Sequence, residues 1–528
     1  MKGLLITLTP DGAFDHLEDI GAAYVAGNLN ANGHECIFCQ ENENLFNLRS
    51  HLDDTIQYIF FTLYNITSNA VYKSCREAKQ LRPEIIIVVG GAEATTRRSQ
   101  VLQECEFIDY MIIGEGETTS HELLSKLEKR QDISNINGII YRKKNIVTET
   151  SERPLVKDID TIVWPDRSFL LKKQLTVASI STSRGCPGRC SFCLTHDIWT
   201  YWRGRSIENI MNEIRHLYDT YQIDCINFTD ASLEDPDKHC IRLNQLLDGI
   251  LELDFPLYFS ADFRAEFVDK VTPELMDKLK RAGLIRVVVG IESANEADNK
   301  LYNKIASVEQ NYRITAMFQK KKIPMHPGFI NFNPYTTIER LRDNLQYLNQ
   351  FHIAARMILF ATEVSIFKRS ALYEKVQNDN LLSPDGLTYR YLNEEIKILI
   401  SYLKQEMERL SGKDKLIMEI DTNLQKSDVL CYATKSRFQN MGIDAGEIFD
   451  EFDQEFELIK SRLNETCNHW YTRLLDATES GRVWQYDEIT QDSITYDYLK
   501  HQLKLLRANM FRLFKNLMQK GYTANIKF

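Results

Sequence analysis

Apolar residues in the first 130 positions fall into short continuous runs separated by amphipathic stretches. Leu4–Leu8, Cys36–Cys39, Tyr58–Leu63, Ile85–Val89 and Tyr110–Ile113 read as strands. Between or after them, Ile20–Ala31, Ser68–Leu81 and Thr118–Lys129 read as helices, the first with Ile20, Ala23, Tyr24 and Leu29 ahead of a Gly33 stop. Runs that are apolar throughout, rather than alternating, suit strands covered on both faces. The pattern predicts an α/β domain over residues 1–135, a doubly wound sheet with ligand loops at the carboxyl ends of its strands.

Residues 136–175 are polar with little periodicity, include Arg153-Pro154 and Trp164-Pro165-Asp166, and read as a connector. Alternation returns over 176–383, with candidate strands Val177–Thr182, Cys225–Thr229, Leu257–Ala261, Ile285–Gly290, Phe329–Asn333 and Arg356–Ala361. Six strand–helix units predict a partial (β/α)6 barrel. From 384 to 528 the strands disappear and a helical region follows. Its 444–457 segment carries Asp444, Glu447, Asp450, Glu451, Asp453, Glu455 and Glu457 with no Lys or Arg, and Ile448, Phe449, Phe452 and Phe456 recur at helical spacing. The 500–520 segment is the reverse, with Lys500, Lys504, Arg507, Arg512, Lys515 and Lys520 around a Leu503, Leu506, Met510, Leu513 and Leu517 stripe. Both are expected to dock their apolar faces and leave the charges in solvent.

The length of 528 residues suits about three to four domains. With 74 acidic against 64 basic side chains the net charge is −10, which argues against a phosphate-tracking nucleic-acid binder. No apolar run is long enough to span a bilayer, and Met1–Ile6 is too short for a signal peptide, so a cytoplasmic protein is expected. Eleven cysteines, an odd number, point to metal chemistry rather than a disulfide framework.

The spacing supports metal chemistry. Ser183-Arg184-Gly185-Cys186-Pro187-Gly188-Arg189-Cys190-Ser191-Phe192-Cys193 places a Cys-x3-Cys-x2-Cys motif directly after a strand, where barrel enzymes keep their active sites. Three thiolates suit a soft metal centre, and no fourth ligand has zinc-finger spacing. A four-iron cluster on three cysteines leaves one iron open to a small molecule. The motif resembles that of the radical S-adenosylmethionine (SAM) superfamily. The resemblance implies a 4Fe–4S cluster on Cys186, Cys190 and Cys193 whose open iron chelates the SAM methionine. It also implies one-electron cleavage to a 5′-deoxyadenosyl radical. Phe192 matches the family's aromatic position near the adenine. Gly290-Ile291-Glu292-Ser293 resembles the SAM-contacting segment, with Glu292 and Ser293 as contacts. Gly328 and Ile330, in Gly328-Phe329-Ile330-Asn331-Phe332, stand where the family has a backbone surface near the adenine, although Phe332 replaces its second glycine. Asp230 falls in the methionine-amine region.

Gly90-Gly91 follows the fourth strand of the first domain and Gly114-Glu115-Gly116-Glu117 the fifth. This is similar to the cobalamin-binding domain that precedes the barrel in one radical SAM branch, and it implies a cobalamin site lined by Thr62, Tyr64, Gly90, Gly91, Gly114 and Glu115. The Asp-x-His-x-x-Gly element that ligates cobalt elsewhere is absent, and His16 and His34 are isolated, so binding without a protein histidine is expected. Cys36 and Cys39 would point to opposite faces of a strand, which disfavours chelation. The resulting reading is a cobalamin-dependent radical SAM enzyme that modifies an unactivated carbon by methyl transfer or rearrangement. It takes electrons from a flavodoxin- or ferredoxin-type donor and acts on a small molecule or peptide. The alternatives are a radical SAM enzyme with an empty first domain, performing hydrogen abstraction, and a catalytically silent SAM or cobalamin sensor.

Overall fold

In the computed structural model, residues 1–528 are described apart from 11–16, 144–145, 235, 385, 483–493 and 521–528. His16 lies outside the described residues. The chain divides into two units, Met1–Pro187 with Leu194–Ala231, and Gly188–Cys193 with Ser232–Phe528.

The first unit is built on a seven-stranded sheet. Its strands are β1 (Lys2–Thr9), β2 (Glu35–Asn42), β3 (Tyr58–Thr62), β4 (Ile86–Gly90), β5 (Tyr110–Ile112), β6 (Ile139–Lys143) and β7 (Ile146–Glu149), in the order β2-β1-β3-β4-β5-β6-β7. The pairings among β1 to β5 are parallel, as the apolar runs predict. Helix Ser68–Leu81 packs Val71, Cys75 and Ala78 onto the face carrying Leu4, Ile6, Ile59 and Phe61. Helix Ile20–Ala31 packs Ala22, Ala23 and Leu29 onto the other face, with Leu5, Phe38 and Phe60. The sheet is therefore doubly wound. Cys39 lies on the first face and Cys36 on the second, as expected of strand neighbours three apart.

The 136–175 segment is more than a connector. Strands β6 and β7 extend the sheet antiparallel beyond β5, burying Ile139, Ile140 and Tyr141. Three apolar residues followed by Arg142 and Lys143 are too short a signal to read as a strand from sequence. The rest of the segment docks closely on helix Ile20–Ala31. Asp166 N donates to Ala23 O at 2.9 Å, and a Cβ on Gly27 would sit 2.3 Å from Trp164 O. Further on, β8 (Val177–Ile180) pairs in parallel with β11 (Cys225–Phe228), and the two-residue strands β9 (Ser183–Arg184) and β10 (Arg203–Gly204) pair antiparallel. A buried chain of charges ties these parts together. Arg167 bonds Glu18 and reaches Glu213 Oε1 at 2.6 Å, Arg205 Nη1 reaches Glu213 Oε2 at 2.5 Å, and Glu18 Oε1 accepts from Ser179 N at 3.1 Å.

In the second unit β12 (Tyr258–Arg264), β13 (Leu284–Glu292) and β14 (Met325–Phe329) run parallel. The expected strand Phe329–Asn333 lies four residues earlier than predicted. His326-Pro327-Gly328 reads as a breaker, yet β14 is an edge strand, where a proline is tolerated. The expected strand Arg356–Ala361 is a 3-10 turn, Met357–Ala361, with Met357, Leu359 and Phe360 buried; only an isolated parallel bridge, Phe332 to Glu363, marks strand pairing there. Short apolar runs do not distinguish the two conformations. Five of the six predicted barrel strands therefore form.

Helices Glu394–Ser411, Leu416–Asn440, Gly446–Glu479 and Tyr496–Gln519 make up the C-terminal region. The charges of the acidic and basic segments stay mostly exposed, as expected. Arg512 bonds Glu455 of the acidic segment, and Arg507 Nη2 lies 2.6 Å from Glu419 Oε2 of helix Leu416–Asn440. Leu503, Leu506, Leu513 and Leu517 are buried, as are Ile448, Phe449, Phe452 and Phe456. Helix Gly446–Glu479 docks Tyr471 in a 4.3 Å stack on Phe360, and helix Leu416–Asn440 holds Arg356 in a two-point ion pair with Asp421. Among the described residues, no helix is long and apolar enough to cross a membrane.

Gly27→Ala would press a methyl group into the Trp164 backbone, with an expected loss of about 1–3 kcal/mol in urea denaturation. Glu213→Ala would leave the Arg167 and Arg205 guanidinium groups buried without their shared carboxylate, with an expected loss of about 3–5 kcal/mol in the same assay.

Candidate active site

The cysteine loop is held by hydrogen bonds of its backbone and of its serine hydroxyls. On the side of the first unit, Asp230 is buried at the end of β11. Its carboxylate accepts from Thr182 N at 3.0 Å and from Thr182 Oγ1 at 2.7 Å, and it also bonds the Ser183 hydroxyl. The sequence places Asp230 beside the methionine amine; the geometry sets its oxygens on the residues that open the cysteine loop. Gly185 has φ +91°, and a Cβ there would lie 2.6 Å from Tyr201 O, so the chain passes this point only as glycine. On the side of the second unit, Ser191 N donates to Tyr302 O at 2.8 Å, Ser191 Oγ to Leu301 O at 2.7 Å, and Asn303 Nδ2 to Arg189 O at 2.8 Å. Eight of the eleven cysteines are buried, and only Cys186, Cys190 and Cys193 are half-buried. Within either unit, among the described residues, no group of three or more His, Cys, Asp or Glu side chains gathers as a metal site. The Cys-x3-Cys-x2-Cys motif carries three soft donors of the kind an iron–sulfur cluster takes, on half-buried residues.

Most residues expected near SAM lie together in the second unit. Phe192 meets Tyr302 edge-on at 5.3 Å, and both belong with Ile330 to one apolar cluster. Ile330 N donates to Glu292 O at 2.7 Å. Gly328 pairs with Gly290, and a Cβ on Gly328 would lie 3.5 Å from Gly290 Cα. At Glu292 the register shifts and φ is +62°, a left-handed conformation unusual for a side chain with a Cβ. Its Oε1 stands 3.6 Å from Lys304 Nζ, which also donates to Gly290 O at 3.0 Å. Ser293 departs from expectation. It is fully buried, with its hydroxyl 3.0 Å from Asp298 Oδ2 and 2.9 Å from Asn344 Oδ1. The Ser293 hydroxyl is thus committed to Asp298 and Asn344, while the Glu292 carboxylate meets Lys304. Lys304, Tyr302 and Arg264, which pairs with Gly290 from β12, had no signal in the sequence beyond their residue types.

In the first unit the strand ends align, Thr7 with Thr62 and Thr62 with Gly90. The Thr7 hydroxyl lies 3.0 Å from Thr62 Oγ1, and Tyr64 OH donates to Asp19 Oδ2 at 3.0 Å. Thr95 joins the two glycine loops, donating to Gly91 O at 2.9 Å and accepting from Gly114 N at 3.0 Å. Gly114 has φ +77°, and a Cβ there would meet nothing within 4 Å. Glu115 behaves differently from a lining residue. Burial raises its carboxyl, but bonds from Arg203, Arg184 and Val156 N outweigh that and hold it below the ordinary carboxylate range. His34 stands away from the rim, buried with its Nδ1 3.4 Å from the Met1 amine.

Asp230→Ala would strip the Thr182 and Ser183 donors of their acceptor, with an expected loss of about 1–3 kcal/mol and lowered iron retention after reconstitution, read by denaturation and iron quantification.

A B12 binding domain family model matches residues 13–124, and a Radical SAM superfamily model matches residues 180–348. Curated relatives include an uncharacterized methyltransferase of Pyrococcus horikoshii, 27% identical over 327 residues that cover 60% of this chain and 69% of the relative. The anaerobic magnesium-protoporphyrin IX monomethyl ester cyclase of Rubrivivax gelatinosus is 27% identical over 342 residues, 61% of this chain and 60% of the relative. Among solved structures, the cobalamin-dependent S-adenosylmethionine radical enzyme OxsB with aqua-cobalamin bound shares the fold over 98% of this chain and 81% of its own, with a TM-score of 0.67 at 16% identity. The radical S-adenosylmethionine methyltransferase TsrM from Kitasatospora setae covers 72% of this chain and 75% of its own, with a TM-score of 0.57 at 16% identity. The chain thus carries a B12 binding domain over residues 13–124, followed by a Radical SAM domain over residues 180–348.

Proposed function

We propose that the protein is a cobalamin-dependent radical SAM enzyme that modifies an unactivated carbon of a small molecule or short peptide by methyl transfer or radical rearrangement. The observation that carries this reading is the accessibility of three cysteines, Cys186, Cys190 and Cys193, in a chain that buries the other eight. When bound, the 4Fe–4S cluster supplies the electron that splits SAM, and cobalamin supplies a methyl carrier. The chain's own residues then have separate tasks. Phe192, Gly328 and Ile330 offer SAM an apolar and backbone surface, and Glu292 a carboxylate balanced by Lys304. Thr62, Tyr64, Gly90, Gly91 and Gly114 form the rim for the corrin, with no histidine among them. The electron comes from an external donor of flavodoxin or ferredoxin type. Curated relatives named as methyltransferases, such as the bacteriochlorophyllide d C-12(1)-methyltransferase of Chlorobaculum tepidum, favour methyl transfer. The reading places the enzyme in the cytoplasm, consistent with eleven cysteines none of which is in a disulfide.

Anaerobic reconstitution with iron, sulfide and hydroxocobalamin tests this. Cobalamin absorbance together with 5′-deoxyadenosine and S-adenosylhomocysteine is expected. Iron without cobalamin, with 5′-deoxyadenosine alone, would point to the empty-domain alternative, and an intact cluster that never cleaves SAM would point to the sensor. Cys186→Ala, Cys190→Ala and Cys193→Ala should each reduce SAM cleavage to background and lose iron; a variant with full iron and turnover would refute the assignment. Glu292→Gln should weaken SAM binding about tenfold, or about 1.4 kcal/mol, at unchanged iron content in equilibrium titration.

A further inference from the structure

Four buried charges lie between the loop after β5 and the strand that leads into the cysteine loop, and the function above does not use them. Arg184 Nη1 donates to Glu115 Oε1 at 3.0 Å, and its Nη2 bonds Glu117. Arg203 stands opposite Arg184 across β9 and β10. Its Nη1 donates to Glu115 Oε2 at 3.1 Å and to Val156 O at 2.7 Å, and Val156 N donates to the same Glu115 oxygen at 2.9 Å. None of the four side chains is more than 10% exposed. The Arg184 guanidinium also lies 5.1 Å from the Tyr24 ring centre, and Asn28 Nδ2 donates to Glu117 O at 2.7 Å.

Two cations and two anions make the cluster neutral. Buried ion pairs of this kind add little stability over apolar packing of the same volume, so stability alone does not account for it. Its geometric effect is specific. Glu115 directly follows Gly114, and Arg184 stands two residues before Cys186. Through the bonds of Arg184 and Arg203 to Glu115, and of Arg184 to Glu117, a shift of the Gly114 loop carries into β9 and the start of the cysteine loop.

We propose that Glu115 and Glu117 are positioning residues through which a corrinoid at the Gly114 loop adjusts the placement of Cys186. This rests on the function proposed above. Such coupling is reciprocal: if cobalamin alters the reduction of the cluster, reduction alters cobalamin affinity by the same factor. A tenfold coupling corresponds to about 59 mV for a one-electron couple.

The test is a potentiometric titration of the cluster in the full reconstituted chain, with and without hydroxocobalamin. Wild type should shift its potential on cobalamin addition. Glu117→Gln should lose most of that shift while keeping iron content and cobalamin absorbance. Should Glu117→Gln fail to fold, Arg184→Lys, which keeps the charge but not the two-point fork, should show the same loss. Equal wild-type potentials in the two states would overturn the coupling, and so would a full shift in both variants. A wild type that holds no iron or no cobalamin would overturn the functional reading itself, and the coupling with it.

Discussion

Everything else in this protein depends on fixing in place the loop that carries Cys186, Cys190 and Cys193. A glycine-rich loop is cheap to distort. Hydrogen bonds at both of its ends oppose that. Asp230 takes up the Thr182 and Ser183 donors, and Ser191 is bonded through its backbone and hydroxyl to Leu301 and Tyr302. Burial pushes the thiols of Cys36 and Cys467 up to about 12, which keeps them protonated and unsuited to metal.

Buried charge is the second recurring device. Glu18, Arg167, Glu213 and Arg205 join the first sheet, the segment after it and helix Ile207–Tyr221. Glu115, Glu117, Arg184 and Arg203 join a glycine loop to the start of the cysteine loop. Asp421 and Arg356 join a C-terminal helix to the segment after helix Ile338–Gln350. Apolar packing tolerates sliding, whereas a buried carboxylate accepts only the arrangement that brings its guanidinium within reach. The charges thus specify relative placement where the hydrophobic effect, which has no direction, does not.

The C-terminal helices follow the same logic at lower cost. Arg512 with Glu455 and Arg507 with Glu419 pair across half-exposed surfaces, where each ion pair contributes on the order of 0–1 kcal/mol. The Leu and Phe stripes supply most of the adhesion. Tyr471 reaches farther, stacking on Phe360 and lying 3.0 Å from Asn331 Nδ2, next to Ile330. A C-terminal residue thereby buttresses a segment expected to face SAM.

The sequence was legible where the signal is local. Apolar runs located β1 to β5, helical periodicity located Ile20–Ala31 and Ser68–Leu81 to the residue, and cysteine spacing singled out the Cys186–Cys193 loop. It misled where a local pattern had two readings: β14 hidden by Pro327 and Gly328, the Met357–Ala361 turn taken for a strand, and the β6–β7 extension hidden by its shortness. By itself the sequence determined the strand and helix pattern and the cysteine spacing, because strand period, helix period and motif spacing are properties of neighbouring residues. Only the tertiary structure decided what Asp230, Ser293 and Glu115 do, because a carboxylate or hydroxyl is committed by whatever faces it, and Glu115 meets Arg184 across 69 positions of chain.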